Sequence, residues 1–146
     1  MIVFMKKHIF TPILAVILLV ACGTGSLQSG IEVHQAKIEA AAQGENSPVY
    51  LAIRNPGSET DQLTGVSSDA AEGMQLQNGN ETIDVIPVSA NTEFVFIPDG
   101  YHVMLVGLKQ DLHVGDEIEV VLHFRDHEDM TISVPVGEPS GHEHEH

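Results

Sequence analysis

Apolar and polar residues alternate along several short stretches of the chain, as they do in strands with one buried face. In residues 117–125 every second position is a large apolar residue, and residues 131–136 repeat this alternation. Residues 126–129 between them are polar and charged. The pattern predicts an antiparallel hairpin whose apolar face lies in a core and whose other face meets solvent.

Other short runs of β-branched, aromatic and aliphatic residues end at turn signals such as Asn55-Pro56-Gly57. The best helical candidate, residues 35–43, is interrupted by Gly44, and nothing in the body has a helix-length amphipathic pattern. Many short strands at this spacing predict an all-β sandwich or barrel. The further strands are expected at residues 31–35, 49–54, 63–67, 74–77, 82–88, 92–97 and, apolar on both faces as in a central strand, 101–108.

The N-terminal residues have a different pattern. Lys6 and Lys7 precede an almost wholly apolar run at residues 9–20, which is shorter than the roughly 20 residues of a membrane-spanning helix. This predicts a secretory signal. Leu19-Val20-Ala21-Cys22 resembles a lipobox, so we expect residues 1–21 to be a lipoprotein signal peptide and Cys22 to be lipidated. The alternative is a plain secretory signal followed by an incidental cysteine.

The remaining chain divides into three parts. Residues 22–30 read as a Gly/Ser-rich tether, residues 31–136 as one domain with one core, and residues 137–146 as a flexible tail. All 21 Asp and Glu lie after the signal, against four of the six Lys and Arg. Such an acidic chain does not attract nucleic acid or anionic lipid through its charge.

The tail carries His142, His144 and His146 in alternation with glutamates. Three imidazoles on a mobile segment chelate Cu(II), Zn(II) or Ni(II). A purification tag rarely has this alternation, so we interpret the tail as a metal-binding segment.

A second candidate site lies in the apolar run at residues 101–108. His102 and Met104 are two residues apart, so in a strand both side chains project from one face. An imidazole beside a thioether is a soft ligand pair that suits Cu(I) and does not suit Mg²⁺ or Ca²⁺. The alternative is that both residues only pack.

Residues 99–116, beginning Asp-Gly-Tyr-His-Val-Met, resemble the second half of the PCuAC-type periplasmic copper chaperone domain. The stretches Tyr50-Leu-Ala-Ile-Arg-Asn55 and Leu63-Thr-Gly-Val-Ser-Ser68 are also similar to that family. The resemblance implies a cupredoxin-like Greek-key β-sandwich of about eight or nine strands. It also implies Cu(I) binding through His and Met side chains and supply of copper to cytochrome c oxidase.

The family's metal site carries over only in part. His102 and Met104 match its His-x-Met pair, but Gln77 stands where the family has its upstream His. The upstream Met position falls near Ile83 or Val85, which are not ligands. Met74 is left as a substitute sulfur donor or, alternatively, as a packing residue.

The sequence lacks a zinc-protease, nucleophile-elbow or phosphate-loop motif, and Cys22 is assigned to lipid, so we expect no enzyme. The function we expect is a lipid-anchored extracytoplasmic copper chaperone, in the periplasm or on the cell surface. It would bind Cu(I) at His102 and Met104 and pass it to a copper-accepting protein. The alternative is a non-catalytic surface lipoprotein of the same fold, with a degenerate core site, that binds metal only through its tail.

Overall fold

The computed structural model describes residues 30–140. The signal peptide, Cys22 and the tail histidines fall outside the described residues. No helix in residues 30–140 is long and apolar enough to cross a membrane. The regular elements within this range are ten strands: β1 (Glu32–Glu39), β2 (Ser47–Asn55), β3 (Asp61–Ser67), β4 (Ala71–Asn78), β5 (Glu81–Ile83), β6 (Ile86–Val88), β7 (Thr92–Val95), β8 (Tyr101–Leu108), β9 (Glu117–Phe124) and β10 (Met130–Gly137).

The strands form two sheets that meet along one edge. The first sheet has the order β5-β4-β8-β2-β1, with β7 also paired to β2. The second has the order β10-β9-β3-β6. A short parallel pairing of β1 with β10, at Ile38 with Val136 and Glu39 with Gly137, connects the two sheets. The other ladders are antiparallel, and the predicted all-β sandwich is confirmed.

The core lies between the inner faces of the two sheets. The predicted hairpin of β9 and β10 is present, and the alternate residues Ile118, Val120, Leu122 and Phe124 of β9 are buried as expected. Because successive side chains of a strand point to opposite faces, burial of this set leaves the other set in contact with solvent. The largest completely buried side chains are aliphatic: Ile38, Val49, Leu51, Ile53, Leu63, Ile86, Val88, Val103, Leu105, Val120, Leu122 and Val134.

The helical candidate at residues 35–43 is wrong. Strand β1 continues through Glu39, after a bulge between His34 and Lys37 at which Gln35 has a positive φ. The bulge restores the alternation that buries Ile38 completely. Pairing with β2 on one side and β10 on the other therefore determines this segment more strongly than its helical propensity does.

Residues 82–88 also differ from the prediction of one strand. Ile83 in β5 pairs with Leu76 of the first sheet, whereas Ile86 in β6 pairs with Leu63 of the second. The chain therefore crosses from one sheet to the other between these two residues. This crossing makes two strands out of the predicted one and brings the number to ten.

Candidate metal centre

Strand β8 lies in the middle of the first sheet, between β4 and β2, as its apolar sequence predicts. Val103 and Leu105 are completely buried, so His102 and Met104 project from the opposite, outer face. Two residues along a strand span roughly 7 Å. The pair is therefore presented on one face of a strand whose inner side is fixed in the core.

The His102 ring is held at both nitrogens. Its Nδ1–H donates to the Gly100 carbonyl oxygen at 2.9 Å, and its Nε2 lies 3.1 Å from Oε1 of Gln77. A carbonyl oxygen only accepts, so Nδ1 carries a hydrogen. In the neutral ring the free lone pair is then on Nε2, and a backbone carbonyl on the other nitrogen is a common way to orient a metal-binding imidazole.

Gln77 is directly opposite His102 in the β4–β8 ladder, and Gln75 is opposite Met104. Nε2 of Gln77 donates to Oε1 of Gln75 at 3.1 Å, and the Thr82 hydroxyl approaches the same oxygen at 3.5 Å. With both amides rotated by 180°, Gln77 donates to Nε2 of a neutral ring instead. In either orientation a neutral side chain, which a metal ion can displace, contacts the nitrogen that would bind metal.

Tyr50 completes the surroundings of the imidazole on the β2 side. Its ring centroid is 6.3 Å from that of His102, and it pairs with Lys37 across the β1–β2 ladder. Burial raises the pKa of the Tyr50 hydroxyl, and the negative charges of Glu39 and Asp99 raise it further. The surroundings of Tyr50 on this outer face are therefore partly desolvated and lie near carboxylates, and it is the negative charge of the carboxylates that favours a bound cation.

Met74 does not face His102. It pairs with Leu105, lies on the same face of β4 as Leu76, and packs against the core. Ile83 also packs against the core, and Val85 is exposed. A ligand role for Met74 stays a prediction, and the side-chain parity of β4 turns Met74 away from the pair.

Within residues 30–140 no three His, Cys, Asp or Glu side chains are grouped so that they could hold a metal ion. Among the residues that the structure describes, the Met104 sulfur is therefore the candidate second ligand for a metal bound at His102. The tail histidines His142, His144 and His146 lie outside the described residues, so their ligand role also stays a prediction.

A second polar cluster, centred on Asp61, has no signal in the sequence. This side chain is 1% exposed, and it accepts hydrogen bonds from the backbone N–H groups of Gln62, Asp126 and His127 and from Nδ1 of His127 at 2.6 Å. Burial alone would raise the pKa of Asp61, but these hydrogen bonds outweigh it and lower the pKa. His127 therefore holds this buried carboxylate through both its backbone N–H and its ring.

His123 is also occupied by neighbouring side chains. Its Nε2 is 2.9 Å from the Ser67 hydroxyl and its Nδ1 is 2.9 Å from the Asp129 carboxylate. These contacts connect β9 to β3 and to the hairpin turn. Unlike the rings of His123 and His127, the ring of His102 shares a strand face with a methionine, Met104.

The outward His-x-Met pair and the two-sheet fold define a class, the cupredoxin-like β-sandwiches of PCuAC type. The "Copper-bound PCuAC domain from PmoF2" superposes with a TM-score of 0.69 at 26% identity, covering 75% of this chain and 93% of that domain. CuI-DR1885 from Deinococcus radiodurans gives a TM-score of 0.64 at 21% identity, covering 82% and 87%. The predicted cupredoxin-like fold and the resemblance to PCuAC domains are confirmed.

Within that class the chain belongs to the LpqE-like lipoprotein family, since the family model described as "Putative lipoprotein LpqE-like" matches residues 31–136. A relative from Leifsonia xyli subsp. xyli (strain CTCB07), "Putative lipoprotein Lxx21020", is 33% identical over 126 residues, covering 80% of this chain and 75% of the relative. "Uncharacterized protein RP573" of Rickettsia prowazekii (strain Madrid E) is 30% identical over 100 residues, covering 62% and 55%.

Proposed function

We propose that the protein is an extracytoplasmic, lipid-anchored copper chaperone. It binds Cu(I) through Nε2 of His102 and the sulfur of Met104 and passes the ion to a copper-accepting protein. The observation that carries the proposal is the Nδ1–H bond of His102 to Gly100, because it leaves Nε2 as the ligand on the face that also presents Met104. The ion is cargo and not a resident cofactor.

The donor set fits this cargo. One neutral imidazole and one thioether favour Cu(I) over hard cations. A carrier must also release its ion, and a centre with few ligands allows an acceptor to compete for it. His102 is 6% exposed, so the half-buried Met104 offers the side from which an acceptor can approach. The fixed inner side of β8 keeps the two donors in place while the ion is exchanged, because Val103 and Leu105 are completely buried.

The relatives support the remaining parts of the proposal. A solved neighbour is described as a copper-bound PCuAC domain, and a curated relative and the family model are described as lipoproteins. These descriptions agree with a signal peptide at residues 1–21, a lipid on Cys22, and a location in the periplasm or on the cell surface. The acceptor that the resemblance to copper chaperones implies is cytochrome c oxidase during its assembly.

The test is a Cu(I) titration of the purified protein in competition with a chromophoric Cu(I) chelator. We expect one high-affinity Cu(I) per chain and loss of that affinity in His102→Ala and in Met104→Leu, which keeps the side-chain volume. His113→Ala, in an exposed turn, and Met130→Leu, on β10, are the matched controls and should bind as the unchanged protein does. Equal Cu(I) affinity in all five proteins would overturn the proposal.

One observation favours a second candidate function. Gln77 occupies the position opposite His102 and bonds to the nitrogen that would hold copper. On this hypothesis the core site is degenerate and the protein is a non-catalytic surface lipoprotein that binds Cu(II), Zn(II) or Ni(II) only at His142, His144 and His146. Removal of residues 141–146 distinguishes the two: loss of all metal binding would favour this second function.

A further inference from the structure

Two exposed apolar side chains lie on the same sheet face as the proposed copper pair. Phe94 packs against the core and Phe96 is buried, so the alternate residues Val95 and Ile97 point to the outer face of the first sheet. Val95 is 50% exposed and Ile97 is 52% exposed. Single exposed apolar residues are common on protein surfaces, but neighbouring ones on one face are typical of a surface that a partner covers.

The pairing of β2 places these two residues beside the copper pair. Strand β2 pairs with β8 near its start and with β7 near its end, so β7 and β8 lie end to end along it. The Phe96 N–H donates to the carbonyl oxygen of Leu51 at 2.8 Å, which continues the β2–β7 ladder by one residue. The next residues of that ladder are Ile97 and Tyr50, and the Tyr50 ring lies beside the His102 ring.

Ile97 also touches the loop that holds the imidazole. A Cβ atom at Gly100 would lie 2.7 Å from Cγ1 of Ile97, so the Ile97 side chain lies directly against Gly100. The carbonyl oxygen of Gly100 accepts the Nδ1–H bond of His102. Ile97 therefore connects the exposed surface with the group that orients the imidazole.

Apolar and aromatic side chains surround the copper pair on this face. Pro48 is opposite Met104 in the β2–β8 ladder, and both are half-buried. We define the apolar patch as these two residues together with the three already described: Pro48, Tyr50, Val95, Ile97 and Met104. Because His102 itself is buried, a protein that takes copper from this pair has to contact the patch.

Carboxylates border the apolar patch. Glu93 precedes Val95 by two residues and points to the same face, and Asp99 is exposed in the loop before β8. Burial raises the pKa of Tyr50, and the negative charges of Glu39 and Asp99 raise it further. Both of these carboxylates therefore lie close enough to act on a residue of the patch.

Lys37 and Arg54 also lie on this face, but both are directed away from the patch. A Cβ atom at Gly137 would lie 2.6 Å from Cε of Lys37, so the Lys37 stem lies over β10, on the side of β1 away from β2. Nη1 of Arg54 is 3.6 Å from Oε2 of Glu32 on β1, whereas β7 lies on the other side of β2. The border of the patch is therefore negative, and it attracts a positively charged surface.

We propose that the apolar patch is the docking surface for the copper-accepting protein, which covers it with an apolar surface bordered by Lys or Arg side chains. The inference rests on the proposed function and adds the chemistry of the partner to it. In the docked pair, Cu(I) moves by ligand exchange. Its bonds to Met104 and His102 break as bonds to two ligands of the acceptor form, both side chains are left neutral, and the oxidation state does not change.

The experiment measures Cu(I) transfer from the loaded full-length protein, in detergent, to the purified copper-accepting domain of cytochrome c oxidase. An affinity tag on the acceptor separates the two proteins at set times, and the copper in each is then measured. Val95→Ser with Ile97→Ser should lower the second-order rate constant about tenfold or more and leave Cu(I) affinity within about twofold. The matched control is Val114→Ser, 53% exposed in the turn beyond the other end of β8, which should transfer as the unchanged protein does.

A second pair of variants tests the charge of the border. Glu93→Gln with Asp99→Asn should lower the transfer rate about threefold to tenfold at low ionic strength and change it little at 1 M salt, where charges are screened within about 3 Å. Asn tolerates the positive φ of Asp99. Glu119→Gln with Glu128→Gln removes two exposed carboxylates elsewhere and is the control for net charge.

Equal transfer rates in the double Ser variant and in Val114→Ser would overturn the inference and leave the proposed function standing. A rate that is independent of acceptor concentration would do the same, because copper then leaves the chain before it meets the acceptor. The proposed function itself fails if the unchanged protein holds no Cu(I) against the chromophoric chelator.

Sedimentation velocity of the same proteins tests whether a second copy of this chain occupies the patch instead. We expect the unchanged protein and both Ser variants to sediment as monomers. A dimer that is lost in Val95→Ser with Ile97→Ser and kept in Val114→Ser would assign the patch to a second copy and overturn the inference.

Discussion

The rings of His102 and His127 are both held by hydrogen bonds, but His127 bonds a charged partner and His102 bonds neutral ones. His127 donates from Nδ1 to the carboxylate of Asp61, a buried charge with three further donors. His102 bonds a backbone carbonyl, that of Gly100, and the neutral amide of Gln77. A protein loses much of its stability when a buried charge loses a partner, whereas a neutral amide is readily replaced by another ligand of the ring. The difference favours a structural role for His127 and is compatible with the proposed Cu(I)-ligand role of His102.

The largest expected effect is at the structural pair. Asp61→Ala removes the charged acceptor of several part-buried hydrogen bonds from Gln62, Asp126 and His127 at once, so the free energy of unfolding should fall by about 3–5 kcal/mol, given about 1.5–3 kcal/mol for a hydrogen bond to a charged group. Urea denaturation followed by circular dichroism measures the change. Asp84→Ala, at an exposed position, should stay within about 0.5 kcal/mol. A change as small at Asp61 as at Asp84 would remove the contrast.

A crossed comparison of the two histidines comes next. His102→Ala should lower Cu(I) affinity by about 100-fold or more, because loss of a supporting partner alone lowers metal affinity by 10–100-fold. His127→Ala should lower stability by about 1.5–3 kcal/mol, the range for a hydrogen bond to a charged group, and leave Cu(I) affinity unchanged. Cu(I) titration and urea denaturation of both variants give two Cu(I) affinities and two free energies of unfolding. Weaker Cu(I) binding in His127→Ala would contradict the assignment.

Gln77→His tests whether the partner of His102 limits the site. A second imidazole directly opposite His102 should raise Cu(I) affinity about tenfold, or 1.4 kcal/mol. The matched control is Gln110→His, at an exposed position after β8, which adds the same side chain away from the pair. Competition titration compares the three proteins, and equal gains in both variants would show that the position does not matter.

The smallest effect concerns acid stability. The pKa of Asp61 is lowered in the folded chain, so the unfolded chain binds its proton more tightly. The stabilisation is complete above the ordinary pKa of about 3.9 and is lost as pH falls through the folded value. Asp61→Asn should therefore differ from the unchanged protein by a constant amount above about pH 5 and by less at lower pH. Urea midpoints between pH 2 and pH 7 measure it, and a difference independent of pH would argue against a charged Asp61.

Much of the fold is predictable because one-sided burial imposes a period of two. Residues 117–125 show this period of two, and β9 buries the alternate apolar residues that it predicts. The boundary between Ile83 and Ile86 could not be found in this way, because both residues are apolar. The two are separated by their partners, Leu76 in one sheet and Leu63 in the other, and pairing between distant strands leaves no local pattern.

The two polar sites differ in the same way in how far the sequence predicts them. Strand parity alone places His102 and Met104 on one face, and the resemblance to copper chaperones indicates Gln77 as the residue at the missing ligand position. The pair of Asp61 and His127 is separated by 66 residues and joins the start of a strand to a hairpin turn. In a chain this acidic, no sequence pattern distinguishes the buried carboxylate of Asp61 from exposed ones.

Strand β1 separates Gly30 from the outer-face residues around His102 by most of its length. Gly30 lies just before β1. Near the other end of the strand, Lys37 pairs with Tyr50 of β2, and the Tyr50 ring lies beside the His102 ring of β8. The seven steps from Glu32 to Glu39 cover about 23 Å. The proposed copper pair therefore lies near the opposite end of β1 from Gly30. If the proposed lipid on Cys22 holds the Gly30 end of the domain toward a membrane, an acceptor has access to the copper pair from the other end.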